Sequence, residues 1–468
     1  MIIEQIYTGC LAQGAYYIES DGEVAIIDPL REVDSYIEKA KSNNAAIKYI
    51  FETHFHADFV SGHVTLAEKT GAKIVYGPTA STNFDSIIAE DNQVFKIGKI
   101  TITALHTPGH TMESTSYLLK DENGKDHAIF SGDTLFLGDV GRPDLAQKGE
   151  ITEKDLAGFL YDSLRNKIMP LADDVIVYPA HGAGSACGKN LSKETVGTIG
   201  NQKKTNYALR EDMSKEEFIK EVTDGLLPPP AYFPLNVKMN KEGYKSIDDV
   251  IKNSARALSV KDFELIANET DALVLDVRHQ SEFIQGFIPS SIFIGLGGTF
   301  APWVGALIKD TTQPILLVTP IGKEKTTITR LSRVGFDNVL GYLDGSFNAW
   351  KNAGKETDSL KSVSAETLEQ KINENAIVFD VRKPGEYTSE HIENVPNTPL
   401  DFLNKHISEF PTNKDFYLHC AGGYRSVIAA SILKARGYHN VIDVAGGYGA
   451  IKDTNIKRTA TVCPSTLK

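Results

Sequence analysis

The chain writes one motif twice. Ala272-Leu273-Val274-Leu275-Asp276-Val277-Arg278 recurs as Ala376-Ile377-Val378-Phe379-Asp380-Val381-Arg382, and the stretch from Gly335-Phe336-Asp337-Asn338-Val339 to Gly345 recurs from Gly437-Tyr438-His439-Asn440-Val441 to Gly447. Self-similarity at a fixed spacing constrains a chain strongly, because each copy has to adopt the same fold. In each copy an apolar run ends in Asp-Val-Arg, and a later strand leads into a helix. That pattern predicts a parallel sheet covered by helices, used twice.

Ahead of the repeats, short apolar runs at Val24–Ile27, Tyr49–Phe51, Ile100–Leu105, Ala128–Phe130 and Val175–Tyr178 alternate with turn-forming or charged stretches and predict strands. Pro228-Pro229-Pro230-Ala231-Tyr232-Phe233-Pro234 cannot continue a helix or a central strand, so it predicts the edge of the first domain and a linker. Three domains follow: 1–245, with the Pro-rich linker from 228, then 246–357 and 358–468. A chain of 468 residues has the length for them.

The 49 Lys and Arg against 61 Asp and Glu leave a net charge of −12, which argues against a broad footprint for nucleic acid or anionic lipid. No stretch approaches the roughly 18 uncharged apolar residues of a spanning helix, and MIIEQIYTGC lacks the pattern of a signal peptide. A cytoplasmic enzyme with no nucleic-acid or membrane partner is the expectation. The four cysteines, Cys10, Cys187, Cys420 and Cys463, show no CxxC spacing, so neither a disulfide framework nor a cysteine zinc site is expected.

The densest chemical signal is Thr53-His54-Phe55-His56-Ala57-Asp58-Phe59-Val60-Ser61-Gly62-His63, just past the run Tyr49-Ile50-Phe51. The same grammar returns at His110 in Thr107-Pro108-Gly109-His110, Asp133 in Phe130-Ser131-Gly132-Asp133, and His181 in Tyr178-Pro179-Ala180-His181. Each polar residue lies just beyond a predicted strand, where a rigid sheet edge holds side chains in fixed convergence. A metal site is built that way.

These elements, in this order, resemble the metallo-β-lactamase superfamily. The resemblance implies an αββα sandwich. Hydrolytic members such as glyoxalase II carry HxHxDH, whose last Asp-His pair helps to hold a second metal, whereas Phe59 follows Asp58 here. Phenylalanine offers no lone pair, which points to one metal rather than two. Gly141-Arg142-Pro143-Asp144 and Tyr178-Pro179-Ala180-His181 resemble the persulfide dioxygenase branch. That likeness implies one Fe(II) per chain held by His54, His110 and Asp133, a two-histidine, one-carboxylate face with open positions for persulfide sulfur and dioxygen. His56, Asp58 and His181 would then orient ligands and bound water, and Arg142 and Tyr178 would contact the thiol substrate. Cys187 is left open between facing the iron, accepting sulfur, and filling a Gly-rich loop.

In the last domain Tyr417-Leu418-His419 runs into Cys420-Ala421-Gly422-Gly423-Tyr424-Arg425-Ser426 and then into an apolar, helix-like run. A cysteine at such a turn has backbone N–H groups and a helix N-terminus around its sulfur, and Arg425 adds a cation. With Glu386-Tyr387, His391-Ile392 and Gly446-Gly447, the segment resembles the rhodanese family, whose sulfurtransferases use a Cys-to-Arg loop of this length. Cys420 is the implied nucleophile, with Ala421, Gly422, Gly423, Tyr424 and Ser426 forming the loop around its persulfide. The middle repeat has Thr319-Pro320-Ile321-Gly322-Lys323 there and no cysteine.

The whole order resembles the bacterial persulfide dioxygenase–rhodanese fusions. The expected reaction is oxidation of a thiol persulfide with O2 to thiol and sulfite, followed by sulfane transfer from Cys420 to sulfite. Glutathione, coenzyme A and bacillithiol remain equally open as the thiol, and so does a homo-oligomer. Two other readings stand beside it: a binuclear zinc thioesterase of the glyoxalase II kind fused to a sulfur carrier, and a non-catalytic sulfur carrier or sensor.

Overall fold

The structure, a computed structural model, describes residues 1–145, 151–189 and 191–462, so Cys463 lies outside the described residues. The chain gathers into two compact units, Met1–Val250 with Leu331–Gly335, and Ile251–Arg330 with Phe336–Lys468.

The first unit contains two six-stranded sheets. One runs through Ile2–Thr8, Gln13–Ser20, Glu23–Ile27, Ala46–Phe51, Lys73–Tyr76 and Ile87–Ile88. The other runs through Gly197–Thr198, Ile176–Pro179, Asp126–Gly132, Thr115–Lys120, Ile100–His106 and Val94–Ile97. Alternation decides the layering. Tyr16 and Ile18 point into the space between the sheets and meet Phe51, Ile102, Tyr117 and Phe130, while their neighbours Ala15 and Tyr17 point outward onto Val33, Tyr36 and Leu66 of the flanking helices. The second sheet is covered by Leu160, Leu164 and Phe218 against Ile129 and Val177. The outcome is the four-layer αββα sandwich, with the expected strands present at Glu23–Ile27, Ala46–Phe51, Ile100–His106, Asp126–Gly132 and Ile176–Pro179.

The Pro-rich segment behaves differently from a linker. A helix, Phe233–Glu242, starts inside it with Pro234 in the first turn, where a missing N–H costs nothing, and buries Phe233, Asn236 and Asn240.

The second unit holds two sheets, one five-stranded in the order Ala257–Leu258, Val339–Leu343, Ile315–Val318, Leu273–Asp276, Ile292–Phe293. The other is four-stranded in the order Lys361–Val363, Val441–Val444, Phe416–His419, Ile377–Asp380. Every pairing in both is parallel. The repeated Asp-Val-Arg explains itself here: Arg278 grips Asp276 at 2.6 Å and the Gly286 carbonyl at 2.8 Å, and Arg382 grips Asp380 at 2.6 Å and the Glu390 carbonyl at 2.8 Å. Each pair is buried and clamps the strand end to the following helix. Among the described residues, no helix is long and apolar enough to cross a membrane.

Phe130 is fully buried between the sheets of the first unit, stacked on Tyr178 at 5.2 Å and edge-on to Tyr16 at 4.9 Å. Phe130→Ala should lower the stability of that unit by about 3–5 kcal/mol, read from its urea transition in the intact chain.

Candidate metal centre and sulfur-transfer loop

The metal-binding candidates stand on loops that leave one edge of the sandwich, and the loops are fixed before any side chain acts. Asp28, just past the strand Glu23–Ile27, accepts from the Thr53 amide at 2.8 Å and the Thr53 hydroxyl at 2.9 Å. Gly132 leaves the strand Asp126–Gly132 at φ 54°, and a Cβ there would meet the Thr53 side chain at 2.7 Å. Only glycine lets the Asp133 turn close on the His54 turn.

Hydrogen bonds choose the imidazole tautomers. His110 Nδ1 lies 2.8 Å from the Arg142 carbonyl and His181 Nδ1 3.2 Å from the Ala12 carbonyl. A carbonyl only accepts, so both rings carry the proton on Nδ1 and keep the Nε2 lone pair for the site. The Thr53 hydroxyl, spent as a donor on Asp28, accepts from His54 Nδ1 at 3.0 Å, with the same result. His110 Nε2 then lies 3.4 Å and His54 Nε2 3.9 Å from Asp133 Oδ2, while His181 Nε2 is 3.6 Å from Asp133 Oδ1 and 3.5 Å from Asp58 Oδ2.

His54, His110 and Asp133 form one group with ligand atoms mutually within 4.8 Å, as do His56, Asp58 and His181, and Asp133, His181 and Cys187. Both oxygens of Asp133, Asp58 Oδ1 and His181 Nε2 are buried without a hydrogen-bond partner. Buried polar atoms aimed at one another without partners fit a cation among them.

His56 differs from the other three. Its Nε2 lies 3.1 Å from Asp28 Oδ1 and 3.6 Å from Glu52 Oε2. Burial opposes its charge, yet Asp28 and Glu52 prevail and raise its pKa to about 9, whereas burial and the neighbouring histidines hold His54 well below its ordinary value. Burial, with Asp58 and Asp133 adding to it, keeps the Cys187 thiol protonated.

Of the expected substrate contacts, Tyr178 is half-buried on Phe130, and burial raises its phenol pKa. The Arg142 guanidinium is engaged by Asp144 at 2.6 and 2.7 Å and by the Leu227 carbonyl at 2.5 Å. Its clearest contribution to the site is the backbone carbonyl that orients His110.

Three residues escaped the sequence reading. Asp28 follows a strand end as the ligands do, and that grammar was the available signal. Asn240 donates to the carbonyls of His56 and Phe59, both at 2.8 Å, and accepts from the Ser61 amide at 2.9 Å, and the Tyr232 hydroxyl donates to the Asp58 carbonyl at 3.3 Å. Both lie where prolines suggested a linker.

In the last repeat the strand Phe416–His419 delivers Cys420, only 1% exposed, to a turn closed by Gly423 at φ 91°. The Gly423 amide donates to the Cys420 sulfur at 3.1 Å, and the Ser426 hydroxyl lies 3.5 Å from it. The Tyr424 hydroxyl donates to the Gly295 carbonyl of the middle repeat at 2.7 Å. Arg425, expected to add a cation to the loop, is bidentate to Glu386 at 2.6 and 2.8 Å. Burial would raise the Glu386 pKa, but Arg425 brings it below the ordinary carboxylate value.

Residues 8–181 match the metallo-beta-lactamase superfamily, and residues 259–353 and 364–454 each match the rhodanese-like domain. A solved Staphylococcus aureus structure described as a metallo-beta-lactamase aligns at TM-score 0.64 and 30% identity, over 73% of this chain and 98% of that one. The chain thus belongs to the metallo-beta-lactamase superfamily and carries two rhodanese-like domains after that fold. A mitochondrial persulfide dioxygenase of Mus musculus is 28% identical over 222 residues, 47% of this chain and 78% of the relative. A probable hydroxyacylglutathione hydrolase of Schizosaccharomyces pombe is 32% identical over 161 residues, 34% of this chain and 58% of the relative, so the chain spans less than two thirds of that protein.

Asn240→Ala leaves two carbonyls and an amide of the 56–61 loop without partners. It should cost about 2–4 kcal/mol and lower metal content, measured by urea denaturation and elemental analysis.

Proposed function

We propose that the chain oxidises a low-molecular-weight thiol persulfide with O2 at the His54, His110 and Asp133 site and passes sulfane sulfur through Cys420 to sulfite. The observation that carries the reading is the pairing, in one chain, of a two-histidine, one-carboxylate donor set with a cysteine whose sulfur is cradled by a backbone amide. Likeness to the mouse persulfide dioxygenase supports it.

The three donors suit Fe(II), one per chain, which when bound supplies the redox chemistry that joins O2 to the persulfide sulfur. The overall change, RSSH + O2 + H2O to RSH + SO3²⁻ + 2 H⁺, needs no further oxidant. The pinned tautomers keep three Nε2 lone pairs turned inward without a proton to lose. Asp58 and His181 are proposed to hold a proton or water for the persulfide, and Cys187, whose sulfur lies within 4.8 Å of the Asp133 and His181 donors, stays open between facing the iron and accepting sulfur. For the rest of the thiol, be it glutathione, coenzyme A or bacillithiol, the proposed contacts are Tyr178 and Arg142, the latter only if the thiol's anionic group takes the place of Asp144 on the guanidinium. At the other site the Cys420 thiolate takes the outer sulfur of a persulfide, releasing the donor thiol, and sulfite removes that sulfur as thiosulfate.

A second reading has its own support. His56, Asp58 and His181 also converge, and the fission yeast relative is named a hydrolase, so a two-zinc thioesterase would use the same pocket. Metal counting separates the two: one iron per chain favours the dioxygenase, two zinc ions the thioesterase.

Asp133→Ala should abolish both iron content and oxygen uptake, while His56→Ala should retain most of the iron. Equal loss in both variants would overturn the single-metal assignment. Cys420→Ser should leave oxygen uptake intact and shift the product from thiosulfate to sulfite, measured by thiol-reactive labelling and chromatography against a protein-free control.

A further inference from the structure

Arg425 and Glu386 form a feature that the sulfur-transfer chemistry has not absorbed. Both terminal guanidinium nitrogens of Arg425 meet the two carboxylate oxygens of Glu386, so the side-chain cation of the Cys420 loop already carries a counter-charge. Glu386 has a plain structural duty as well: its Oε2 accepts from the Lys383 amide at 3.1 Å and caps the helix Pro384–Ser389. The vacant middle repeat separates the two roles. There Glu282 caps Gln280–Gln285 through the His279 amide at 3.2 Å, yet among the described residues no lysine or arginine forms an ion pair with it. The cap is kept without a nucleophile, and among the described residues the ion pair on the capping glutamate occurs in the repeat that carries the cysteine.

An acceptor that carries charge feels this pair. Sulfite attacks the outer sulfur of the Cys420 persulfide with its lone pair. A sulfur–sulfur bond forms to sulfite, the bond to Cys420 breaks, and the Cys420 sulfur leaves as thiolate with the electron pair. The sulfane sulfur moves as a neutral atom, so no outside oxidant or reductant enters. To bind Arg425 bidentately through Nη1 and Nη2, the incoming anion has to compete with the Glu386 carboxylate that already takes that edge. A thiol, which binds neutral and loses its proton only at the attacking sulfur, brings no oxyanion to Arg425 and meets no such competitor.

We propose that Glu386 is a specificity-determining residue of the sulfur-transfer loop: by occupying Arg425 it weakens binding of anionic sulfur acceptors relative to neutral thiols. The inference rests on the sulfurtransferase reading of Cys420 given above.

The test uses the intact chain, loaded at Cys420 with glutathione persulfide, desalted, and mixed without oxygen with increasing sulfite or dithiothreitol. Thiosulfate is read in the first case and sulfide in the second, since the second thiol of dithiothreitol closes its disulfide and expels the transferred sulfur. Glu386→Gln keeps an oxygen for the helix cap and removes the charge. Its half-saturating sulfite concentration should fall about threefold to tenfold, its limiting rate should change less than about twofold, and its dithiothreitol reaction should match wild type. Glu386→Asp, which keeps the charge, should stay nearer wild type. Unchanged or weaker sulfite saturation in Glu386→Gln, or an equal gain with dithiothreitol, overturns the proposal while leaving the sulfurtransferase reading in place. A wild-type chain whose sulfur transfer does not depend on Cys420 overturns that reading, and the proposal with it.

Discussion

Asp28 sets one carboxylate oxygen against the Thr53 amide, shared with His56 Nε2, and the other against the Thr53 hydroxyl, and the geometry of the candidate metal centre descends from that grip. With its proton committed to Asp28, the Thr53 hydroxyl can only accept from His54, which fixes that ring's tautomer. The same side chain is the surface on which Gly132 closes, and that closure sets where Asp133 emerges. One carboxylate outside the proposed ligand set thus decides ring chemistry on one strand end and backbone path on another. Such convergence is cheap to build at the edge of a rigid sandwich and hard to build on free loops.

The second unit separates frame from chemistry. The buried Asp276–Arg278 and Asp380–Arg382 pairs are nearly identical in geometry, although one repeat carries a cysteine and the other does not. They belong to the fold. What distinguishes the last repeat lies in a few positions: a thiol, a glycine amide turned onto it, and an arginine answered by a glutamate. The vacant repeat is still engaged, since its Gly295 carbonyl holds Tyr424 of the loop.

Most of the fold was legible because its signals are local. The strand ends at Phe51, His106, Gly132 and Pro179 are announced by apolar runs, and the polar residues after them read as a set. The doubled parallel sheets follow from the repeated pattern, whereas the sandwich was implied by the resemblance that the histidine-rich motifs carry. The Pro-rich segment was misleading, because a proline marks where a helix cannot continue but equally where one can start. Asn240 was invisible for another reason: its three bonds reach back about 180 residues, and an asparagine inside a helix says nothing of a loop so far away. Arg425 was found, but its partner Glu386 lies on a different helix and no spacing rule pairs them.

The helix that holds the His56–Ser61 loop is encoded downstream of the proline run that looks like the end of the first domain. The visible seam in the sequence is therefore not a joint. A fold of this kind could not be exchanged for another at residue 228 without carrying the next fifteen or so residues along. Recombination that respects the candidate metal site has to cut further on, so the apparent spacer is inherited as property of the sandwich that carries it.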